Sequence, residues 1–233
     1  MTARAPVRMT AMYHAQRALG ARFGEERGWR VAEVYTSVEG ETAQTRSHVG
    51  LVDVSACGKL GMRGEEAPTL IARLTGQAAP AAGSAVHARL NGTAVTVCRL
   101  APDELLTLTS AADHVPVEHQ IASAVGSVGC AHATDLTSAF AAMDVLGPRT
   151  LSLLEKLVPL DLSAVKPLAV VQGELGRVRA IMLRLELLEL PAFRLLVPRE
   201  CGEYVWETLR DAGADLGLAL IGARAHARLR GDG

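Results

Sequence analysis

Aromatic side chains are scarce in this 233-residue chain, which has three Phe, three Tyr and two Trp. An interior of this size must then be built mainly from Leu, Val and Ala. Lysine is scarcer still: Lys59, Lys156 and Lys166 are the three among 24 basic residues. Cationic chemistry is therefore nearly all guanidinium, which suits bidentate carboxylate or phosphate contacts and excludes a Lys-rich patch. Neither sign of charge is in excess, with 24 Lys+Arg against 25 Asp+Glu, so a surface that holds polyanions by counterion release is not expected. Stacking platforms for single strands are excluded by the same lack of aromatics. The sequence holds no long apolar run, and its start, MTARAPVRMTAMYHAQRA, has no apolar stretch after its charges. Those two absences predict a cytoplasmic protein without membrane segments. Cys57, Cys98, Cys130 and Cys201 are widely separated, with no CxxC pair and no His at metal-ligand spacing, and are expected to be buried free thiols. His14, His48, His87, His114, His119, His132 and His226 add no pairing that signals a metal site.

What remains is a chain of alternating short signals. Apolar residues at three- and four-residue spacing over 9–22, with Gly20 near the end, predict a helix. VGLVDVSACGKLGMRG (49–64) predicts two short strands with tight turns. A helix is expected at 65–75, where acidic residues fill the first turn and Pro68 lies early. Residues 76–92 read as a loop entering a strand, and 93–110 as a hairpin turning at APDE. Val115–Ala124 should be helical. A strand, the turn Gly147-Pro148 and a Leu-rich helix follow over 138–163, then a strand pair over 169–197 and a helix at 199–212 capped by Gly213. Hairpins and helices are mixed, with no internal repeat, so the fold class is α+β.

Five strings, in order, carry a resemblance. The first is Tyr13-His14, Ala18-Leu19-Gly20-Ala21-Arg22-Phe23 and Gly28-Trp29. The most specific is Glu39 to Arg46 followed by Val49-Gly50-Leu51-Val52-Asp53-Val54-Ser55 and Gly58-Lys59. Gly147-Pro148-Arg149 comes next, then Leu196-Val197-Pro198 with Trp206, Leu209 and Gly213, and finally Gly222-Ala223-Arg224 with Arg228. Together they resemble the folate-binding domain of the glycine cleavage T-protein (aminomethyltransferase) superfamily, which includes sarcosine oxidase subunits. The resemblance implies a folate-binding-type domain of antiparallel sheets with packed helices over 1–233, with room for a subdomain at about 60–135. It also implies that the C-terminal barrel domain of full aminomethyltransferases is lacking, as in the shortened gamma-type subunit of sarcosine oxidases.

Enzymes of that family, the resemblance implies, hold a reduced folate in a cleft, with one carboxylate near its reactive nitrogen region and another accepting from the pterin. Aligned back from Cys98-Arg99-Leu100, the first carboxylate falls on Thr93 and Ala94, neither of which ionises. The family's Asn at the end of the hairpin falls on Ser110. Arg184 matches the family's Arg, while the pterin-binding Glu falls on Leu190, beside Glu189. Residues 185–190 read as a half-buried strand edge. Ser110, Arg184, Glu189 and Arg224 are thus the candidate cofactor-binding residues, with no catalytic residue and no metal ligand set. The resemblance implies tetrahydrofolate as the cofactor and a noncatalytic, gamma-like subunit of a sarcosine-oxidase-type complex in one-carbon and amine metabolism. Its partners would be protein subunits of that complex, or further copies of the chain, rather than nucleic acid or a membrane. The alternative is a free-standing tetrahydrofolate-dependent aminomethyltransferase-like enzyme, so enzymatic activity is left open.

Overall fold

A computed structural model describes residues 7–127, 129–187 and 190–231. The first third of the chain forms β1 (Arg8–Met9), α1 (Tyr13–Ala18), β2 (Arg22–Glu26), β3 (Trp29–Val34), α2 (Val38–Ser47), β4 (Val49–Asp53), β5 (Gly58–Arg63) and α3 (Ala67–Thr75). β6 (Ser84–Leu90), β7 (Thr93–Ala101), β8 (Glu104–Thr109), α4 (His114–Val125), β9 (His132–Asp135), β10 (Phe140–Leu146) and α5 (Thr150–Leu154) follow. The chain then continues through β11 (Val170–Leu175), β12 (Val178–Arg184), β13 (Ala192–Pro198), α6 (Gly202–Gly213), β14 (Leu218–Leu220) and α7 (Ala223–Arg230).

Two units divide these elements: Met1–Ser55, Phe140–Pro167 and Gly173–Gly233 form one, and Ala56–Ala139 with Leu168–Gln172 the other. In the first, which holds the last three residues of β11, a six-stranded sheet has the order β11-β12-β13-β10-β4-β14, and β1-β3-β2 form a small second sheet. β10 and β13 lie at the middle of the large sheet, and nearly every residue of both is buried, as expected of strands covered on both faces. α6 packs on β10 and β13, while α2 and α7 pack on β4 and on each other. The core is aliphatic around Phe193 and Trp206, both fully buried. Fully burying one such Leu or Val stabilises the fold by about 1.5–3 kcal/mol, so the scarcity of aromatics is offset by number.

In the second unit a five-stranded antiparallel sheet runs β6-β7-β8-β5-β9. Leu60, Met62, Leu70, Ile71, Val117 and Ile121 join the sheet to α3 and α4 in one apolar cluster.

The α+β class holds, with sheets that are antiparallel except where β1 meets β3 and β14 meets β4. Several local expectations change. Ser84–Leu90 is a strand rather than a loop, because Asn91 (φ 45°) and Gly92 (φ 86°) make a two-residue hairpin turn that matches strand twist. The first helix covers only Tyr13–Ala18, flanked by the strands Arg8–Met9 and Arg22–Glu26. The strand pair expected over 169–197 is three strands, since Gly176 (φ 56°) and Arg177 (φ 71°) turn the chain between β11 and β12. Residues 185–187 and 190 are not in a strand, and Leu190 N–H donates to the Leu187 carbonyl at 2.9 Å; the other two residues of the expected strand edge lie outside the described residues. α2 had no apolar signal because its buried residues are Glu41, Thr42 and Thr45. Ser37 caps it, its hydroxyl accepting from Gly40 N–H at 3.1 Å. Among the described residues no helix is long and apolar enough to cross a membrane.

Candidate functional site

The VGLVDVS string folds as β4 and its exit. Asp53, at the end of β4, accepts from Gln16 Nε2 on α1 at 2.9 Å and from Ser55 N–H at 2.9 Å. Ser55 is buried, and its hydroxyl is 3.3 Å from the Ala142 carbonyl and 3.0 Å from Ala142 N on β10. The signature is thus a junction in which a side chain–side chain bond ties α1 to β4 and side chain–backbone bonds tie the exit of β4 to β10. Near it, the Tyr35 hydroxyl is enclosed and has no hydrogen-bond partner among the described residues. Burial first, and then the negative charges of Asp53 and Glu41, push that phenol well above its ordinary range.

Glu41 is 2% exposed, yet it is fully satisfied. Its Oε1 accepts from the N–H groups of Tyr35 (2.7 Å) and Thr36 (2.9 Å), and its Oε2 from that of Gly222 (2.8 Å). One carboxylate therefore joins the end of β3 to the start of α7. Gly222 is the first residue of the Gly222-Ala223-Arg224 string, and a Cβ there would lie 2.0 Å from the Glu33 carbonyl oxygen, so the close approach requires glycine.

A second buried polar group lies on the central strands. Arg194 Nε and Nη2 each donate to Asp144 carboxylate oxygens at 2.7 Å. His226 Nε2 on α7 is 3.1 Å from Asp144 Oδ2, within ion-pair distance but off the line of a hydrogen bond. Burial alone would raise the Asp144 carboxyl; the Arg194 guanidinium, by charge and hydrogen bonds, with His226 adding to it, holds it well below the usual carboxylate range.

The residues singled out from the sequence fall as follows. Ser110, in the second unit, is exposed; its hydroxyl donates to Asp113 Oδ2 at 2.7 Å and accepts from Asp113 N–H at 3.1 Å. That is a local turn before α4, and it engages the hydroxyl as both donor and acceptor. Thr93 and Ala94 begin β7, opposite Leu90 and Arg89. Arg184 closes β12 in the first unit, where its Nη1 donates to the Val165 carbonyl and its guanidinium lies 5.9 Å from the centre of the Phe193 ring. Arg224 is exposed on α7, and Arg228, one turn on, pairs with Glu39 at 3.3 Å. Glu189 lies outside the described residues. Of the four cysteines expected to be buried, Cys98 is; Cys57 and Cys201 are half-buried and Cys130 is exposed.

Asp144, Arg194, Glu41 and Tyr35 escaped the reading of the sequence. A signal was present for the first two: FAAMDVL and AFRLLVP each hold a single charge, of opposite sign, inside an apolar strand. A charge at such a position is rarely buried without a partner. Tyr35 and Glu41 carry no comparable pattern.

Mixed sheets with packed helices are the fold shared with an aminomethyltransferase. Residues 12–233 match the model of the GCVT N-terminal domain family, and the chain belongs to that family. It is 29% identical to an aminomethyltransferase of Saccharopolyspora erythraea over 231 residues, covering 96% of this chain and 63% of that protein. It is also 29% identical to an aminomethyltransferase of Streptomyces avermitilis over 238 residues, covering 99% and 63%. The chain thus spans about 63% of the length of these curated relatives. In three dimensions it resembles the glycine cleavage system aminomethyltransferase T from Bartonella henselae, with a TM-score of 0.85 at 19% identity over 96% of this chain and 62% of that one. It also resembles a chain of the heterotetrameric sarcosine oxidase from Corynebacterium sp. U-96, with a TM-score of 0.65 at 21% identity over 90% of this chain and 96% of that one.

Proposed function

We propose that the chain acts as a noncatalytic, gamma-like subunit of a sarcosine-oxidase-type complex in amine and one-carbon metabolism. The observation that carries this reading is that Thr93 and Ala94, where the sequence resemblance puts the family's reactive carboxylate, begin β7. Neither side chain can take up or release a proton near neutral pH, so general acid–base chemistry has no group there. Ser110, aligned with a family Asn, supports the reading further, because its hydroxyl is engaged with Asp113. Arg184 is turned to a backbone carbonyl and an aromatic ring, a stabilising role within the first unit. The partners would be larger flavin- and folate-binding subunits. Coexpression with such subunits followed by size exclusion should give a single co-eluting complex. A chain that stays monomeric beside them overturns the reading.

A second reading, a free-standing tetrahydrofolate-dependent enzyme, is favoured by one observation. Arg224 is exposed and makes no hydrogen bond or ion pair among the described residues, leaving its five donors for an acidic group such as a folate carboxylate. Titration calorimetry with tetrahydrofolate separates the two. Binding that weakens at least tenfold in Arg224→Ala, with turnover of a one-carbon donor, supports the enzyme; absence of heat at millimolar ligand removes it. Glu189 would join Arg224 in such a pocket, and Glu189→Gln is the companion variant.

A further inference from the structure

On the surface of the second unit, three side chains of unlike origin converge. His114 and Glu118 are one turn apart on α4 and so share a face, and Asp135 ends the neighbouring edge strand β9. His114 Nε2 is 3.3 Å from Asp135 Oδ2 and 3.7 Å from Glu118 Oε2, and all three ligand atoms lie within 4.8 Å of one another. The His114 side chain is 10% exposed, so this nitrogen is its route out to the carboxylates. Nδ1 is enclosed and has no hydrogen-bond partner among the described residues, on the side where a Cβ at Gly58 would lie 2.6 Å away.

A simple ion pair accounts poorly for this arrangement. An imidazole Nε2 carries at most one hydrogen, and two carboxylate oxygens face it, neither at the short distance of a charge-assisted bond, about 2.7–2.9 Å. A cation among the three atoms would satisfy all of them. Ligands about 2.0–2.1 Å from a tetrahedral zinc ion are about 3.3–3.4 Å apart; the 3.3 Å between His114 and Asp135 meets that spacing and the 3.7 Å between His114 and Glu118 approaches it. The supporting interactions are also in place for Asp135: its Oδ1 accepts from Thr137 N–H at 2.8 Å, which orients the carboxylate and leaves Oδ2 for the cluster. Two carboxylates and a neutral imidazole balance a charge of +2, and the imidazole favours a transition-metal ion over magnesium or calcium. The two negative charges also outweigh the partial positive charge of the α4 N-terminus, about half a unit.

We propose that His114 Nε2, Glu118 Oε2 and Asp135 Oδ2 form a binding site for a divalent cation of the zinc class, joining α4 to β9 with a coordination position open to water. The sequence spacing of Cys and His gave no such site, because the third ligand comes from 17 residues beyond Glu118 through the fold.

The test uses the full chain, treated with chelator and carrying Cys130→Ser so that the exposed thiol does not compete. Zinc chloride is titrated against a chromophoric chelator, and cobalt absorption is recorded in parallel. One equivalent should bind per chain and raise the thermal midpoint. Glu118→Gln and Asp135→Asn should each weaken binding at least tenfold, and Glu118→Gln should leave the metal-free midpoint nearly unchanged, since Glu118 is 39% exposed. Three results overturn the proposal: no zinc binding up to millimolar, undiminished binding in both variants, or displacement of zinc by equimolar magnesium.

Discussion

Asp144 on β10 and Arg194 on β13 are directly opposite in the antiparallel ladder, and their side chains close a two-point ion pair with both contacts at 2.7 Å. Asp144 is fully buried and Arg194 8% exposed. Such a pair contributes little net stability against an apolar replacement, because desolvating both ions offsets their attraction. It also specifies register, since sliding either strand by one residue would leave two unpaired charges in the core.

Asp144→Asn keeps the shape and removes the charge that Arg194 faces. Its expected cost is about 3–5 kcal/mol, the range for breaking a buried pair. Asp144→Leu combined with Arg194→Met should lie well above either single variant in urea unfolding. A double variant no better than the singles would refute this account.

Acid should act through the same residue. The folded carboxyl titrates below its unfolded value of about 3.9, so its stabilisation is present above that pH and is lost as pH falls towards the lowered folded value. The unfolding midpoint should therefore drop as pH is taken from 5 towards 2, and the Asp144→Leu, Arg194→Met variant should drop less. Equal slopes would assign the acid sensitivity to other carboxylates.

Glu41→Gln tests the joint between β3, α2 and α7. The amide can keep one oxygen for the Tyr35 and Thr36 N–H groups, but its NH₂ then meets the Gly222 N–H, donor against donor. The expected loss is about 2–3 kcal/mol, on the scale of a hydrogen bond to a charged group. Amide hydrogen exchange should quicken at Gly222 before it does at the centre of β10.

Removing a hydroxyl should do the opposite at Tyr35. Among the described residues its enclosed oxygen has no partner, so Tyr35→Phe relieves an unmet polar group and is expected to be neutral or to stabilise by about 1 kcal/mol. A loss above 1 kcal/mol in chemical denaturation would show that the hydroxyl has a partner in solution.

Gly147 has φ 124°, and a Cβ there would lie 2.6 Å from the Thr45 carbonyl and 2.7 Å from that of His48. Both are backbone atoms, so Gly147→Ala must displace the α2–β4 connection or the strand itself. Its cost should exceed the about 1 kcal/mol typical of glycine replacement, with lowered soluble yield as the first sign.

Much was legible where chemistry is local. Strands β4 and β5, the hairpin β7–β8 and helices α3 and α4 follow from runs, turns and early Pro, although Glu65 and Glu66 precede α3 rather than fill its first turn. The five ordered strings pointed to the family that the comparison establishes over 12–233. α2 was not legible, because a helix whose buried residues are Glu41, Thr42 and Thr45 has no apolar face to find. The loop after β12 was misread for the opposite reason. Leu185, Leu187 and Leu190 look like a strand, yet none of the three is in one, and Leu190 N–H donates to the Leu187 carbonyl at 2.9 Å instead of to a neighbouring strand.

By itself the sequence determined the α+β class, the aliphatic core, the positions of most turns and the non-ionising residues at 93 and 94, since each depends on residue type or on neighbours a few positions away. Only the tertiary structure decided that Asp144 meets Arg194, that Glu41 reaches Gly222 across 181 positions, and that His114, Glu118 and Asp135 share one point in space. Those pairings depend on which strands lie side by side, and strand order is set by the burial of the whole sheet rather than by local sequence.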